Sequence, residues 1–196
     1  MSEKRLLIVR HAETVANHEG RYLGRGEAEF TARGQEQLRL IAEHIREFDP
    51  EVLLSSPLQR TRISAEQAGR LLGLDPVLEP RLTELDFGDA EGLTFDEARK
   101  MGLQFEFKAW DAPVAPGGES RRQVFERTAQ VLDEVLAAPA RRVAIVTHGG
   151  VFRSALPHLL GLPNDAIWIF DIRNGSAAEC RIFDGHARLV EFVTLG

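Results

Sequence analysis

The sequence predicts an α/β fold of three layers, α/β/α, around a mostly parallel but mixed central sheet. Three observations predict it. Short continuous apolar runs such as Leu6 to Val9 and Val143 to Val146 lack the period-two alternation of a half-exposed strand, so they read as strands buried on both faces. Amphipathic helical segments separate these runs, which implies βα units and a parallel sheet covered on both sides. The C-terminal stretch reads as strands joined by turn signals, which adds antiparallel pairs. With roughly 150 residues per domain as a guide, the 196 residues are expected to form one domain, 1–196.

In chain order, Leu6 to Val9 is the first strand. Residues 31–48 place Leu38, Ile41, Ala42 and Ile45 at helical spacing, with Thr31 positioned as the N-cap. Val52 to Leu54 is the second buried strand. A helix from about Pro57 to Leu72 follows, closed by Gly73, with Ala68, Leu71 and Leu72 expected to face inward. Pro76 to Glu79 reads as a short strand. Residues 81–119 are irregular apart from a short helix at 94–101, and Pro113, Pro116, Gly117 and Gly118 mark a loop. A long helix fits 121–137, with Val124, Thr128, Val131, Leu132 and Val135 on one face. Val143 to Val146 is the third buried strand, and a helix over 150–160 follows it. Ala166 to Ile172 reads as a strand and Asn174-Gly175 as a hairpin turn. Ser176 to Phe183 and Ala187 to Val193 read as strands joined at Asp184-Gly185.

Composition excludes several classes. With 43% hydrophobic and 28% charged residues, the chain is neither disordered nor of low complexity. A net charge of −6 leaves no overall basic footprint, so nucleic acid is not the expected partner. No apolar run approaches the ~18 residues of a membrane span. The run from Leu6 to Val9 is too short for a signal-peptide core, so a cytoplasmic protein is expected. The lone Cys180 excludes an intrachain disulfide and a cysteine-based zinc site, and it is expected to be packed rather than reactive. No G-x-S-x-G, P-loop or G-x-G-x-x-G is present, which argues against a serine hydrolase and a nucleotide-binding protein.

The informative residues follow the buried strands. The first strand ends in Arg10-His11. The second ends in Ser55-Ser56-Pro57, with Arg60 and Arg62 a turn on, and the third in Thr147-His148-Gly149-Gly150. In open α/β sheets the ligand crevice lies outside the carboxyl ends of the strands. If these strands are neighbours, His11, His148, Arg10 and Arg60 converge there as an anion site, and a phosphoryl group is the natural ligand. Arg62, two positions from Arg60, faces elsewhere. Helix N-termini after His11 and His148 are expected to add free N–H groups. Such a set suffices for phosphoryl transfer, which depends on positioning and on stabilising the phosphoryl oxygens. A neutral histidine can attack phosphorus, and a carboxylic acid must then protonate the departing oxygen. Glu84 is the best candidate for that acid.

Five segments carry a family resemblance. Arg10-His11-Ala12-Glu13-Thr14-Val15-Ala16-Asn17 resembles the R-H-G-x-T-x-x-N signature of the histidine phosphatase superfamily, the phosphoglycerate mutase-like proteins, with Ala12 in place of glycine. Ser56-Pro57-Leu58-Gln59-Arg60 resembles its S-x-L-x-R segment, and Glu84 to Gly92 its E-x-x-x-G-x-x-E-G. Pro116-Gly117-Gly118-Glu119-Ser120 resembles the P-G-G-E-S of its phosphatase branch, and Thr147-His148-Gly149-Gly150 its second-histidine motif.

The resemblance implies a phosphoglycerate mutase-like fold and a metal-independent phosphomonoester phosphatase with no cofactor, acting on a small phosphorylated metabolite. It implies that His11 is phosphorylated and that Arg10, Arg60 and His148 hold the phosphoryl oxygens. Asn17 would add a hydrogen bond, Gly149 its backbone N–H, and Glu84 the proton for the leaving group. Residues 86–120 would cover the substrate. There Phe105, Phe107 and Trp110 form either an apolar substrate wall or a small core. Arg21 and Arg25 either meet a second substrate charge or are solvated. Two alternatives remain, a cofactor-dependent phosphoglycerate mutase and a phospho-ligand-binding module of little activity. The short stretch between Gly92 and Pro116 favours the phosphatase branch over the mutase. Oligomeric state is not specified by the sequence.

Overall fold

The structure is a computed structural model that describes residues 3–196. The expected domain boundary at residue 1 lies outside the described residues. Among the described residues six strands form one sheet: β1 (Lys4–Arg10), β2 (Val52–Ser55), β3 (Val77–Leu78), β4 (Arg142–Thr147), β5 (Ser176–Phe183) and β6 (His186–Thr194). The spatial order is β3-β2-β4-β1-β5-β6. The first four of these lie parallel, and β5 and β6 join antiparallel, so the sheet is mixed as expected.

The two faces of the sheet follow from the period of a strand. Leu6, Ile8, Val143 and Ile145 point to one side, where α5 (Arg121–Ala137) and α6 (Gly149–Leu160) cover them. Leu7, Val9, Ala144 and Val146 point to the other, under α2 (Ala32–Phe48) and α3 (Gln59–Leu72). β1 and β4 are therefore buried on both faces, which is why their sequences are continuous apolar runs. Cys180 packs in the same core, and burial pushes its thiol up to about 12.

Local signals set most element ends. Thr31 Oγ1 accepts the Gly34 N–H at 2.9 Å and caps α2. Gly73 ends α3 in the left-handed conformation, at φ +68°. Thr94 caps a short α4 (Phe95–Lys100), and Ser120 caps α5 with Gln123 reaching back.

Four expectations are corrected. Ala166 to Ile172 is not a strand: Asn164–Trp168 is a 3-10 turn, and the chain beyond it is irregular. β1 is paired on both sides, with β4 and with β5, so it offers this segment no free edge. Asn174-Gly175 is accordingly a turn that leads into β5 rather than the tip of a hairpin. Leu71 is 53% exposed, because α3 packs through Arg60, Thr61, Ser64, Ala65, Ala68 and Gly69 instead. The helix after His11, α1 (Val15–His18), is only four residues long and starts beyond a Thr14 cap, so His11 does not head a long helix.

The topology places the site. From β1 the chain crosses one face to β2, whereas from β4 it crosses the other face, through α6, towards β5. Adjacent strands whose connections leave in opposite directions open a crevice at their carboxyl ends.

Candidate active site

Register brings the strand-end residues level. Arg10 pairs with Thr147 in the β1–β4 ladder, so His11 and His148 are the next residues of two neighbouring strands. The His11 N–H donates to Thr147 O at 3.0 Å and the Ser56 N–H to Val146 O at 3.1 Å, which carries the ladder past the strand ends. The two imidazoles meet edge to face with ring centroids 5.2 Å apart.

Hydrogen bonds assign the His11 tautomer. Nδ1 lies 2.7 Å from Ala12 O, an acceptor only, so Nδ1 carries the proton. Nε2 is left with its lone pair and receives the Arg60 Nε–H at 3.3 Å. Arg60 is 1% exposed, and its fork is held from behind by Gly24 O at 2.6 Å and Gly26 O at 2.8 Å. The Ser56 hydroxyl lies 2.8 Å from His148 Nε2 and accepts the Leu58 N–H at 3.3 Å. The other ring nitrogen of His148, Nδ1, is buried without a partner. Arg10 donates to Ile172 O at 2.9 Å and also keeps a buried Nε–H without an acceptor.

The electrostatics follow from burial. Desolvation, reinforced by Arg60 and Arg10, holds His11 well below its ordinary value of 6.5. Desolvation and then Arg60 do the same to His148. Burial lowers Arg10 to about 10, so its guanidinium stays charged at neutral pH. The histidines are thus neutral and the arginines cationic.

Glu84 sits across the cleft at the start of α6. Its Oε1 accepts the Leu85 N–H and the Gly150 N–H, each at 2.9 Å. A Cβ at position 150 would collide with that Oε1, which is why glycine stands there. The P-G-G-E-S loop braces the Glu84 segment. The Glu119 carboxylate accepts the Asp86 N–H at 3.0 Å, and Arg127 bridges Glu119 and the Glu84 carbonyl, each at 3.1 Å. Gly149, with its neighbour Arg10 against it, opens α6 on the cleft wall.

The cleft has a volume of about 270 Å³, and His11, Arg10, Asn17, Glu84 and Gly149 all line it. Arg60 and His148 lie beneath, against His11. Asn17 also caps α1, its Oδ1 accepting the Thr14 N–H at 3.2 Å and the Asn174 side-chain N–H at 3.0 Å. Phe107 and Trp110 form part of the apolar wall, whereas Phe105 backs Phe107, stacked at 5.2 Å. Arg21 lines the cleft but pairs with Glu19 and Glu97, and Arg25 pairs with Asp86. Arg62 pairs with Glu66 on the surface. The sequence reading missed the part played by Ser56, Arg127, Arg153 and Trp168. Ser56 opens the S-x-L-x-R segment, and Arg153 stands one turn beyond Gly149 on the same face of α6, which is the signal the sequence offers.

The family model described as histidine phosphatase superfamily (branch 1) matches residues 6–194. The chain belongs to this superfamily. Among curated relatives of this histidine phosphatase superfamily member is "Phosphoserine phosphatase 1" of Hydrogenobacter thermophilus, 31% identical over 177 residues, 88% of this chain and 83% of that protein. Another is the "Probable phosphoglycerate mutase GpmB" of Escherichia fergusonii, 33% identical over 177 residues, 88% of this chain and 82% of that one. Among solved structures, a mycobacterial glucosyl-3-phosphoglycerate phosphatase complexed with VO3 superposes with a TM-score of 0.84 at 30% identity, covering 97% of this chain and 99% of that one. The expected fold is therefore the superfamily's own, and the chain is an enzyme of the phosphatase and mutase type. Among the described residues, no helix is long and apolar enough to cross a membrane.

Proposed function

We propose that this protein is a single-domain, metal-independent phosphomonoester phosphatase acting on a small phosphorylated metabolite through a phosphohistidine at His11. The observation that carries this reading is the His11 imidazole, neutral, with Nδ1 tied to Ala12 O and the Nε2 lone pair turned towards Arg60. In this reading Arg10, Arg60 and His148 grip the phosphoryl oxygens, and the buried His148 Nδ1 and Arg10 Nε gain the partners they lack. Asn17 and the Gly149 N–H lie within the same cleft wall and add to that grip. The arginines supply the positive charge that a metal supplies in other phosphoryl-transfer sites.

The first step forms the Nε2–P bond as the ester P–O bond breaks. Glu84 delivers its proton to the departing oxygen. The Leu85 N–H holds its Oε1, and the Gly150 N–H reaches both carboxylate oxygens, at 2.9 Å and 3.2 Å, which fixes the carboxyl group at the cleft wall. In the second step Glu84, now ionised, takes a proton from water. The hydroxide oxygen bonds phosphorus, and the N–P electron pair returns to Nε2. Inorganic phosphate leaves, and the site is restored.

The test is phosphate release from p-nitrophenyl phosphate and a panel of metabolite phosphates in EDTA. It is run beside conversion of 3- to 2-phosphoglycerate with 2,3-bisphosphoglycerate present. EDTA-resistant release that disappears in His11→Ala is the expected result. Isomerisation without release would move the chain to the mutase reading, which the Escherichia fergusonii relative's name keeps in view. Binding without turnover would leave a phospho-ligand-binding module.

A further inference from the structure

Asn174 does not line the cleft, yet it reaches two groups that do. By sequence it has a turn role alone, in Asn174-Gly175 ahead of β5. It lines a second cavity of about 480 Å³, which shares Arg10, Asn17, Arg21 and Tyr22 with the cleft. Any part it plays in the cleft is therefore played through a neighbour.

Donors and acceptors fix which end of each amide points where. The Asn17 atom 3.2 Å from the Thr14 backbone nitrogen is its oxygen, Oδ1, because that nitrogen only donates. The same oxygen accepts the Thr14 hydroxyl at 2.9 Å and the Asn174 Nδ2–H at 3.0 Å. With its oxygen engaged three times, Asn17 has its Nδ2–H pair left for a ligand in the cleft it lines. Asn174 is assigned in the same way. Its Nδ2 faces His11 O at 3.3 Å as well as Asn17 Oδ1, and both of these only accept. Both of its hydrogens are thus used, and one amide ties the backbone of His11 to the side chain of Asn17.

Asn174 is itself held. The Gly175 N–H also donates to His11 O, at 3.2 Å. Gln37, 1% exposed on α2, donates from Nε2 to Asn174 O at 3.2 Å and accepts the Glu13 N–H on Oε1 at 2.8 Å. A buried glutamine therefore spans the two segments that Asn174 joins. Gly175 has φ +74°, and a Cβ there would lie 2.7 Å from Leu195 O and 3.2 Å from Gln37 Nε2, so glycine fits the turn.

We infer that Asn174 is a positioning residue for phosphoryl transfer, which acts through Asn17 by holding its Oδ1 away from the phosphoryl oxygens and so presenting its Nδ2–H to them. The inference rests on the phosphatase reading above and adds to it a residue that touches no substrate. An asparagine amide turned half a circle about its last side-chain bond keeps its shape. In that orientation Oδ1 would meet the phosphoryl oxygens, acceptor against acceptor. Three donors on Oδ1 oppose the turn, and Asn174 supplies the one that comes from outside the Thr14–Asn17 cap. Hydrogen bonds to an ionised oxygen are about twice as strong as neutral ones, so the aim of this donor bears on rate.

The experiment is a double-mutant cycle on phosphate release from p-nitrophenyl phosphate, with Asn17→Ala, Asn174→Ala and the pair. Asn17→Ala is expected to lower kcat/KM about thirty-fold, as for one lost hydrogen bond to a charged group. Asn174→Ala is expected to cost about ten-fold in the wild-type protein and under about two-fold where Asn17 is already alanine. Equal factors in the two backgrounds would overturn the route through Asn17. The rate ratio of alkyl phosphates to p-nitrophenyl phosphate, which reads Glu84, is expected to be unchanged in Asn174→Ala. A changed ratio would mean that the whole cleft has loosened, and it would overturn the assignment. If Asn174→Ala does not fold, Asn174→Asp keeps the size and sets an oxygen against Asn17 Oδ1. Its loss is expected to be at least as large and again confined to proteins that keep Asn17. The side-chain amide NMR signal of Asn17, identified by its absence in Asn17→Ala, reads the donor apart from turnover. It is expected to shift when inorganic phosphate is added to the wild-type protein and to lose most of that shift in Asn174→Ala. A wild-type signal that phosphate does not move would overturn the inference. A shift that depends on Asn174, in a protein that hydrolyses no ester, would uphold the positioning role and overturn the phosphatase reading alone.

Discussion

Burial beside two guanidiniums decides what His11 is at neutral pH. Its folded value lies well below 6.5, as does that of His148. Below pH 6.5 the unfolded chain takes up protons that the folded chain does not. Unfolding is therefore favoured as pH falls, and stability rises with pH through that window. The expected slope for each of the two histidines is half of about 1.4 kcal/mol per pH unit at pH 6.5 and approaches that value by pH 5, read from urea unfolding. His11→Ala and His148→Ala should each remove one share of it, and an unchanged slope would contradict neutral burial. For activity, Arg60→Ala removes a charged donor aimed at the site. A loss of about 3 kcal/mol in transition-state stabilisation, on the order of a hundred-fold in kcat/KM, is expected. Near-normal turnover in that variant would detach Arg60 from the chemistry. At this scale the site was readable where chemistry-bearing residues follow apolar runs directly, as His11 and His148 do. Ser56 and Arg153 escaped because a serine and a helix arginine each have many commonplace roles, and only their neighbours in space give them these.

At the scale of elements, the start of α6 and the loop before α5 work as one support for Glu84. The Gly150 N–H holds the carboxylate, and Glu119 with Arg127 holds the segment that bears it. Gly150→Ala should push the carboxylate from its seat. The expected signature is a steeper dependence of rate on leaving-group acidity, because poor leaving groups need the proton most. Alkyl phosphates should slow by more than p-nitrophenyl phosphate, and equal slowing would argue against Glu84 as the acid. The P-G-G-E-S motif was recognisable in the sequence, but its bracing role was not, because it depends on Glu119 reaching back to Asp86. The same limit explains the missed turn at Asn164–Trp168. An apolar stretch of strand-like length reads as a strand until the structure shows it turning as a 3-10 segment outside the six-stranded sheet.

For the whole molecule, the sheet is the platform, and its two cores are what keep β1 and β4 in register. Phe152 lies in α6, fully buried, between the helix pair and the sheet, its ring 6.4 Å from Phe192. Phe152→Ala should cost about 3–5 kcal/mol in urea unfolding, because the surrounding core relaxes only partly into the space left. A cost under about 1 kcal/mol would mean that the site's platform does not depend on that core. Helices, buried strands, their caps and the motif residues were all written locally, in spacing and residue type, and so were legible without a structure. That information is carried by neighbours a few positions apart, whose geometry the backbone itself imposes. The strand order, the approach of Arg60 to His11, the seat of Glu84 and the pairing of Arg153 and Arg121 with two indoles were decided by the tertiary structure. Each joins residues distant in the chain, and burial, shared by all of them at once, sets their charge and their partners.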